Sequence, residues 1–183
     1  DIMTGMYASI AVCAALAHRA ETGRGQHLDL ALLDCQVAVL AYQAMNYLST
    51  GVAPKPAGNV HPNIVPYQPF HTRDGEVIIA CGNDNLFRKF CEVAGCQHLA
   101  EDPRFATNAD RVRNRAEIEP LIDAVTRTRT TREWVSALEA AGVPCGPINT
   151  LKEVFEEPQV KARGMLQYLP HATAGTIPQV VSP

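Results

Sequence analysis

Five polar positions or clusters in this chain hold side chains able to act on a small molecule. Asp1 stands just ahead of an Ala-rich apolar run. The positive end of a helix beginning there favours a negative charge, which suits a carboxylate nucleophile. The same position suits an ordinary helix N-cap, since Asp is a common cap, and spacing alone leaves both readings open. Thr22-Gly-Arg-Gly-Gln26 is a Gly-containing loop of the kind that lets backbone approach a ligand closely; a plain helix C-cap explains Gly23 as well. Gly58-Asn59-Val60-His61-Pro62 is a small polar loop with one His, either surface or site. Asp84, just past Cys81-Gly82, is either a helix cap or a carboxylate facing a cleft. Arg111, Arg113 and Arg115 read as a solvated helix edge, with phosphate binding as the alternative.

Several chemistries lack their residues. His18, His27, His61, His71, His98 and His171 show no H-x-x-x-H spacing, and the six cysteines form no C-x-x-C pair, so no metal site is expected. No Gly-x-Ser-x-Gly elbow occurs, and no Lys-Ser/Thr follows the Gly-rich loop. A net charge of −3 argues against a broad nucleic-acid footprint. No apolar run is long enough to span a bilayer as a helix. Cys13, Cys35, Cys81 and Cys91 lie in apolar stretches. They predict free thiols in a reducing compartment: the cytoplasm, or the mitochondrial matrix in a eukaryote.

The elements that must position these clusters follow from periodicity. Residues 4–20 predict an apolar helix ended by Gly23 and Gly25. Residues 27–32 alternate as a short strand, and residues 34–48 predict a second apolar helix. These helices carry little charge and must be covered by other polypeptide. From Val52 the texture changes, with Pro54, Pro56, Gly58, Pro62 and Pro66 marking a shaped loop. Residues 67–72 and 76–81 predict a hairpin turning at Arg73-Asp74-Gly75. A helix capped at Asn83 or Asp84 runs to about residue 94, a polar connection follows from Glu101, and helices cover 115–127 and 131–141, the second capped by Thr131. After a Pro/Gly-rich stretch at 142–149, a short helix begins at Thr150, and residues 166–169 and 176–181 predict strands of a larger sheet. The expected domains are 1–50 as part of a large domain, 51–145 as a small domain with its linker, and 146–183 as a return segment. With no Met, leader or pro-segment ahead of Asp1, the chain reads as an internal piece of a larger enzyme, and the piece alone is expected to show no turnover.

Taken in order, the short patterns resemble the class III CoA-transferases, the CaiB/BaiF type, over essentially the whole chain. They are Asp1-x-x-x-Gly5, Ala-Ala-Leu-x-x-Arg19, Thr22-Gly-x-Gly-Gln26, Asp29-x-x-Leu32-x-Asp34, Gly58-Asn-x-His-Pro62, Pro66-Tyr67-x-x-Phe70, Asp74-Gly75, Gly82-Asn83-Asp84, Gly142-Val-Pro-x-Gly-Pro147 and Glu157-Pro-Gln-Val160. Asn46-Tyr-Leu-Ser-Thr-Gly51 and Ile64-Val-Pro-Tyr-Gln68 are most similar to enzymes acting on short dicarboxylates such as succinate or glutarate. The poly-glycine loop of the formyl-CoA transferases is absent.

The resemblance implies an α/β fold: part of a Rossmann-like large domain plus a small α+β domain, in an interlocked homodimer. It implies that Asp1 attacks an acyl-CoA thioester and forms an acyl–aspartyl anhydride, then an aspartyl-CoA thioester, before CoA passes to a second carboxylic acid. Acyl-CoA and a small carboxylic acid are then the partners, and CoA is a substrate rather than a permanently bound cofactor. Gln26 and Asn59 would help hold an oxyanion or carboxylate, the Gly58–Pro62 loop would exclude water, and His61 and Asp84 would contact substrate or CoA. Two alternatives stand beside this: an α-methylacyl-CoA racemase, in which the matching aspartate is an acid/base, and a non-catalytic CoA-binding or assembly module.

Overall fold

In the computed structural model, which describes residues 1–181, the run after Asp1 winds into one 21-residue helix, α1 (Ile2–Thr22). Its Ala-rich middle has high helix propensity. Gly23 ends it in the left-handed region (φ 71°), donating its N–H to Arg19 O, a conformation that costs glycine little. The predicted strand at 27–32 does not form. A strand exists only through ladder bonds to a neighbour, and the described residues before Tyr67 contain no other strand. The predicted single helix over 34–48 is two: α2 (Leu32–Ala38) and α3 (Ala41–Thr50). Ala41 breaks them apart at φ 46°.

The described residues divide into two units, Asp1–Pro56 and the rest from Ala57. Among the described residues of the first unit, only Cys35 is buried, while Ile2, Ile10, Leu33 and Leu48 are exposed. This unit has helices without a core.

The second unit has one. β1 (Tyr67–His71) and β2 (Glu76–Ala80) form the predicted hairpin, and β3 (Cys145–Pro147) pairs with the far side of β2, giving an antiparallel sheet in the order β1-β2-β3. Phe70 opposes Val77, and Val77 and Ile79 alternate inward, all buried, as a period of two requires. Helices α4 (Asp84–Ala94), α5 (Gln97–Glu101), α6 (Asn108–Arg113), α7 (Arg115–Thr126) and α8 (Thr131–Ala140) cover that face. Phe87, Phe90 and Cys91 line the inner side of α4 at helical spacing and meet Ile118, Ile122, Trp134 and Leu138 in one cluster. Each such side chain contributes about 1.5–3 kcal/mol by leaving water. The Trp134 indole N–H donates to Thr126 O (2.7 Å), which lets the only Trp of the chain sit fully buried.

The caps explain the helix starts. Asn83 accepts the Leu86 N–H at α4. At α8 the cap is Thr130 and not Thr131: Thr130 and Glu133 form a reciprocal capping box, while Thr131 is drawn to the hairpin by Asp74, which accepts its N–H at 2.8 Å. Beyond β3, α9 (Leu151–Glu156), capped by Thr150, and α10 (Pro158–Ala162) lead to β4 (Leu166–His171) and β5 (Gly175–Val180). These two strands pair with each other as an antiparallel hairpin and form a sheet of their own. The fold class is mixed α/β. Among the described residues, no helix is long and apolar enough to cross a membrane, and no group of His, Cys, Asp and Glu is placed to hold a metal.

Candidate functional site

Asp1 occupies the N-cap position of α1. Its backbone carbonyl accepts the first helical bond, from Gly5 N–H at 2.8 Å, but its side chain makes no capping hydrogen bond. The helix therefore uses the backbone of Asp1 and leaves the carboxylate exposed. Beside it opens a cavity of about 700 Å³ lined by Asp1 through Thr4 and by Leu32, Leu33 and Gln36 of α2. Gln36 brings a side-chain amide, donor and acceptor, to the same cavity as the carboxylate. It lies in no motif, and only the packing of α2 beside the start of α1 reveals it. Gln26 is exposed in the irregular stretch between α1 and α2 and does not line this cavity.

The second unit carries the other predicted residues. Gly58 takes φ 64°, and Asn59 beside it is exposed. His61 is half-buried, its ring stacked on Tyr67 with centroids 5.1 Å apart. Its Nδ1 accepts the Asn63 N–H at 3.1 Å. In the neutral ring the proton then sits on Nε2, which makes that nitrogen the donor.

Asp84 begins α4 with its side chain 40% exposed, and its Oδ1 accepts from Arg111 at 2.8 Å. The basic cluster is not a solvated edge, and it is not a phosphate site. Arg111 is fully buried, donating to Val65 O (2.6 Å), Phe105 O (2.9 Å) and Asp84, with its guanidinium 4.3 Å over the Phe87 ring. Arg115 is bonded to Glu119 at 2.8 Å. Of the three, Arg113 alone is mostly in solvent. The sequence reading failed because a helix whose other face is polar hides which arginine turns inward.

The electrostatics set the character of two buried thiols and of a second cavity. Burial pushes the Cys81 thiol up to about 12, although Arg111 pulls it the other way. The bond Cys91 makes to the Cys96 sulfur, together with burial, also pushes Cys91 up. These thiols stay protonated and are poor nucleophiles. A second cavity, about 530 Å³ between the hairpin turn and α8, is lined by Asp74, Glu76, Glu139 and Glu153 against Arg132. The Thr131 N–H, followed by hydroxyl bonds from Thr72 and Thr131, outweighs partial burial and holds Asp74 below the usual carboxylate range. Such a wall repels an anion, so this cavity suits neither a nucleotide phosphate nor a dicarboxylate.

The profile of CoA-transferase family III matches residues 1–183. The chain is 46% identical over 183 residues to the succinate–glutarate CoA-transferase of Agrobacterium fabrum, covering all of this chain and 46% of that one. It is 38% identical over 177 residues to the succinyl-CoA:glutarate CoA-transferase of Homo sapiens, covering 97% of this chain and 40% of that one. A crystal structure of a CaiB/BaiF family protein from Brucella suis superposes with a TM-score of 0.72 at 46% identity, over 99% of this chain and 50% of that chain. The chain spans less than half the length of these curated relatives.

Proposed function

This chain belongs to CoA-transferase family III, and from that premise we propose that the polypeptide containing it moves coenzyme A from an acyl-CoA to a free carboxylic acid. The observation that carries the reading is Asp1, a carboxylate at a helix start that caps nothing and faces a cavity. The relatives named for succinate and glutarate support a short dicarboxylate as substrate.

In the proposed cycle the Asp1 carboxylate attacks the thioester carbonyl, the C–S bond breaks, and CoA leaves as thiolate. The resulting acyl–aspartyl anhydride has two electrophilic carbonyls. Thiolate attack on the aspartyl carbonyl releases the first acid and gives an aspartyl-CoA thioester. The acceptor carboxylate then attacks that thioester, expelling thiolate and forming a new anhydride. Thiolate attack on the new acyl carbonyl yields the product acyl-CoA and restores Asp1. Splitting one exchange into such steps is what a covalent nucleophile contributes. Each intermediate is open to hydrolysis, so the site must exclude water.

Gln26, Gly58, Asn59, His61 and Asp84 remain proposed substrate or CoA contacts, and Gln36 joins them as an amide able to donate to an oxyanion near Asp1. Residues 1–50 and 146–183 are proposed to complete a Rossmann-like large domain around the small domain at 51–145, in a homodimer. Six free thiols among the described residues fit a reducing compartment.

The test is Asp1→Asn in the full-length polypeptide, assayed for CoA transfer from succinyl-CoA to glutarate. Loss of the nucleophile is expected to lower kcat by on the order of 10³-fold or more. Hydroxylamine should mark the Asp1 peptide in the wild type alone. Transfer at the wild-type rate by the variant would overturn the assignment.

A further inference from the structure

Three side chains from α6 and α7 grip the backbone of the loop that carries Asn59 and His61. Asn108 donates to Asn63 O at 2.8 Å and accepts the Val65 N–H at 3.1 Å. Arg111 donates to Val65 O at 2.6 Å. Arg115 donates to His61 O at 2.7 Å and to Pro62 O at 3.3 Å. Asn108 and Arg111, three apart on α6, share one helical face, and Arg115 follows as the first residue of α7. Two more backbone groups of the loop are bonded at the sheet: His61 N–H reaches Tyr67 O at 3.0 Å, and Pro66 O accepts Cys81 N–H at 2.9 Å.

The grip is itself anchored. Arg111 is held in the core by Phe105 O and Asp84, and Arg115 by Glu119. A loop on a protein surface can satisfy its carbonyls with water. Here charged donors, the costliest groups to desolvate, are used for the purpose, and they end on the carbonyls of His61 and of residues that follow it.

We propose that Asn108 and Arg115 are positioning residues that fix the His61–Val65 arm before substrate arrives, confining movement of the loop to Ala57–Val60. The arm is then a preformed wall of the site, and the Nε2 donor of His61 keeps one orientation throughout the cycle. A side chain held in place beforehand spends no reorganisation at the moment of reaction. The proposal rests on the reading above that this loop faces substrate.

The experiment uses the full-length polypeptide with Asn108→Ala, Arg115→Gln and Arg115→Lys. It measures hydrogen exchange of the peptide spanning residues 60–66, thermal melting, and kcat and KM for transfer from succinyl-CoA to glutarate. In Asn108→Ala and Arg115→Gln that peptide should exchange at least about tenfold faster while the α4 and α8 peptides do not change. Their kcat should fall at least about tenfold with KM within about threefold, and Arg115→Lys should recover part of the loss. Faster exchange with wild-type kcat would overturn the positioning role, since the grip would then be structural alone. Unchanged exchange would show that there is no grip. A loss of kcat that follows a lowered melting temperature and is not relieved by Lys would also overturn it. A wild type that transfers no CoA removes the reading beneath, and the exchange result still reports on the grip, so the two failures are told apart.

Discussion

Replacing Arg111 with Met in the 183-residue chain is expected to destabilise the second unit by about 3 kcal/mol. Met keeps most of the volume and can still pack on Phe87, so the loss isolates the guanidinium. Two buried carbonyls, Val65 O and Phe105 O, lose their donors at 2.6 and 2.9 Å. An orphaned buried acceptor costs about 1–3 kcal/mol, so the pair costs roughly 2–6. Asp84 adds little, because its side chain is 40% exposed and can be rehydrated. Relief of the desolvation of the buried charge offsets part of the total, which leaves the lower half of the range. Urea unfolding read by Trp134, the single and fully buried Trp, reports on this unit. With a slope of about 2 kcal/mol/M, the midpoint should drop by about 1.5 M. Asp84→Asn keeps an acceptor for Arg111 and should cost less, about 1–2 kcal/mol. An Arg111→Met variant within about 1 kcal/mol of wild type, with Asp84→Asn the more damaging, would refute the reasoning. The ion pair, not the carbonyls, would then be what matters.

Thr130→Ala removes the side-chain half of the α8 capping box and should cost about 1 kcal/mol by the same fluorescence assay. Asp74 titrates below the usual aspartate value of 3.8 in the folded chain. Its contribution is therefore present above 3.8 and lost as pH falls through the lower folded value. Melting temperature should drop on acidification through that window, and Asp74→Asn should flatten the drop. For Cys81 the sign is opposite: the thiol's contribution is full below 9.0 and lost as pH rises towards about 12. Iodoacetamide at pH 8 should label exposed Cys13 first and reach Cys81 only after unfolding in urea.

What the sequence makes legible depends on how local its cause is. The hairpin at Arg73-Asp74-Gly75, the α4 cap at Asn83 and the left-handed glycine after α1 are decided within a few residues, and all three are where periodicity and turn chemistry put them. The break between α2 and α3 has no Gly or Pro to announce it. The stretch at 27–32 has the alternation of a strand but no paired neighbour among the described residues. The site divides in the same way. Asp1 is a candidate because of the motif that follows it. Gln36, Asn108 and the inward turn of Arg111 arise from contacts between segments far apart in sequence, where no spacing rule reaches. The cap of α8 falls on Thr130 because Asp74, 57 residues away, claims Thr131.

The central strand β2 has a consequence for how this architecture can be rearranged. At its last residue Ala80 N–H meets Pro144 O, and just past its end Cys81 N–H meets Pro66 O, both at 2.9 Å. The chain thus enters and leaves this core-bearing segment on opposite sides of one strand, roughly two strand spacings or about 10 Å apart. The buried cluster runs from Val65 to Val143. Residues 65–144 therefore behave as a cassette with its own filling and adjoining ends. Such a segment can be lengthened, shortened or grafted between relatives at two junctions, with the chain on either side keeping its path.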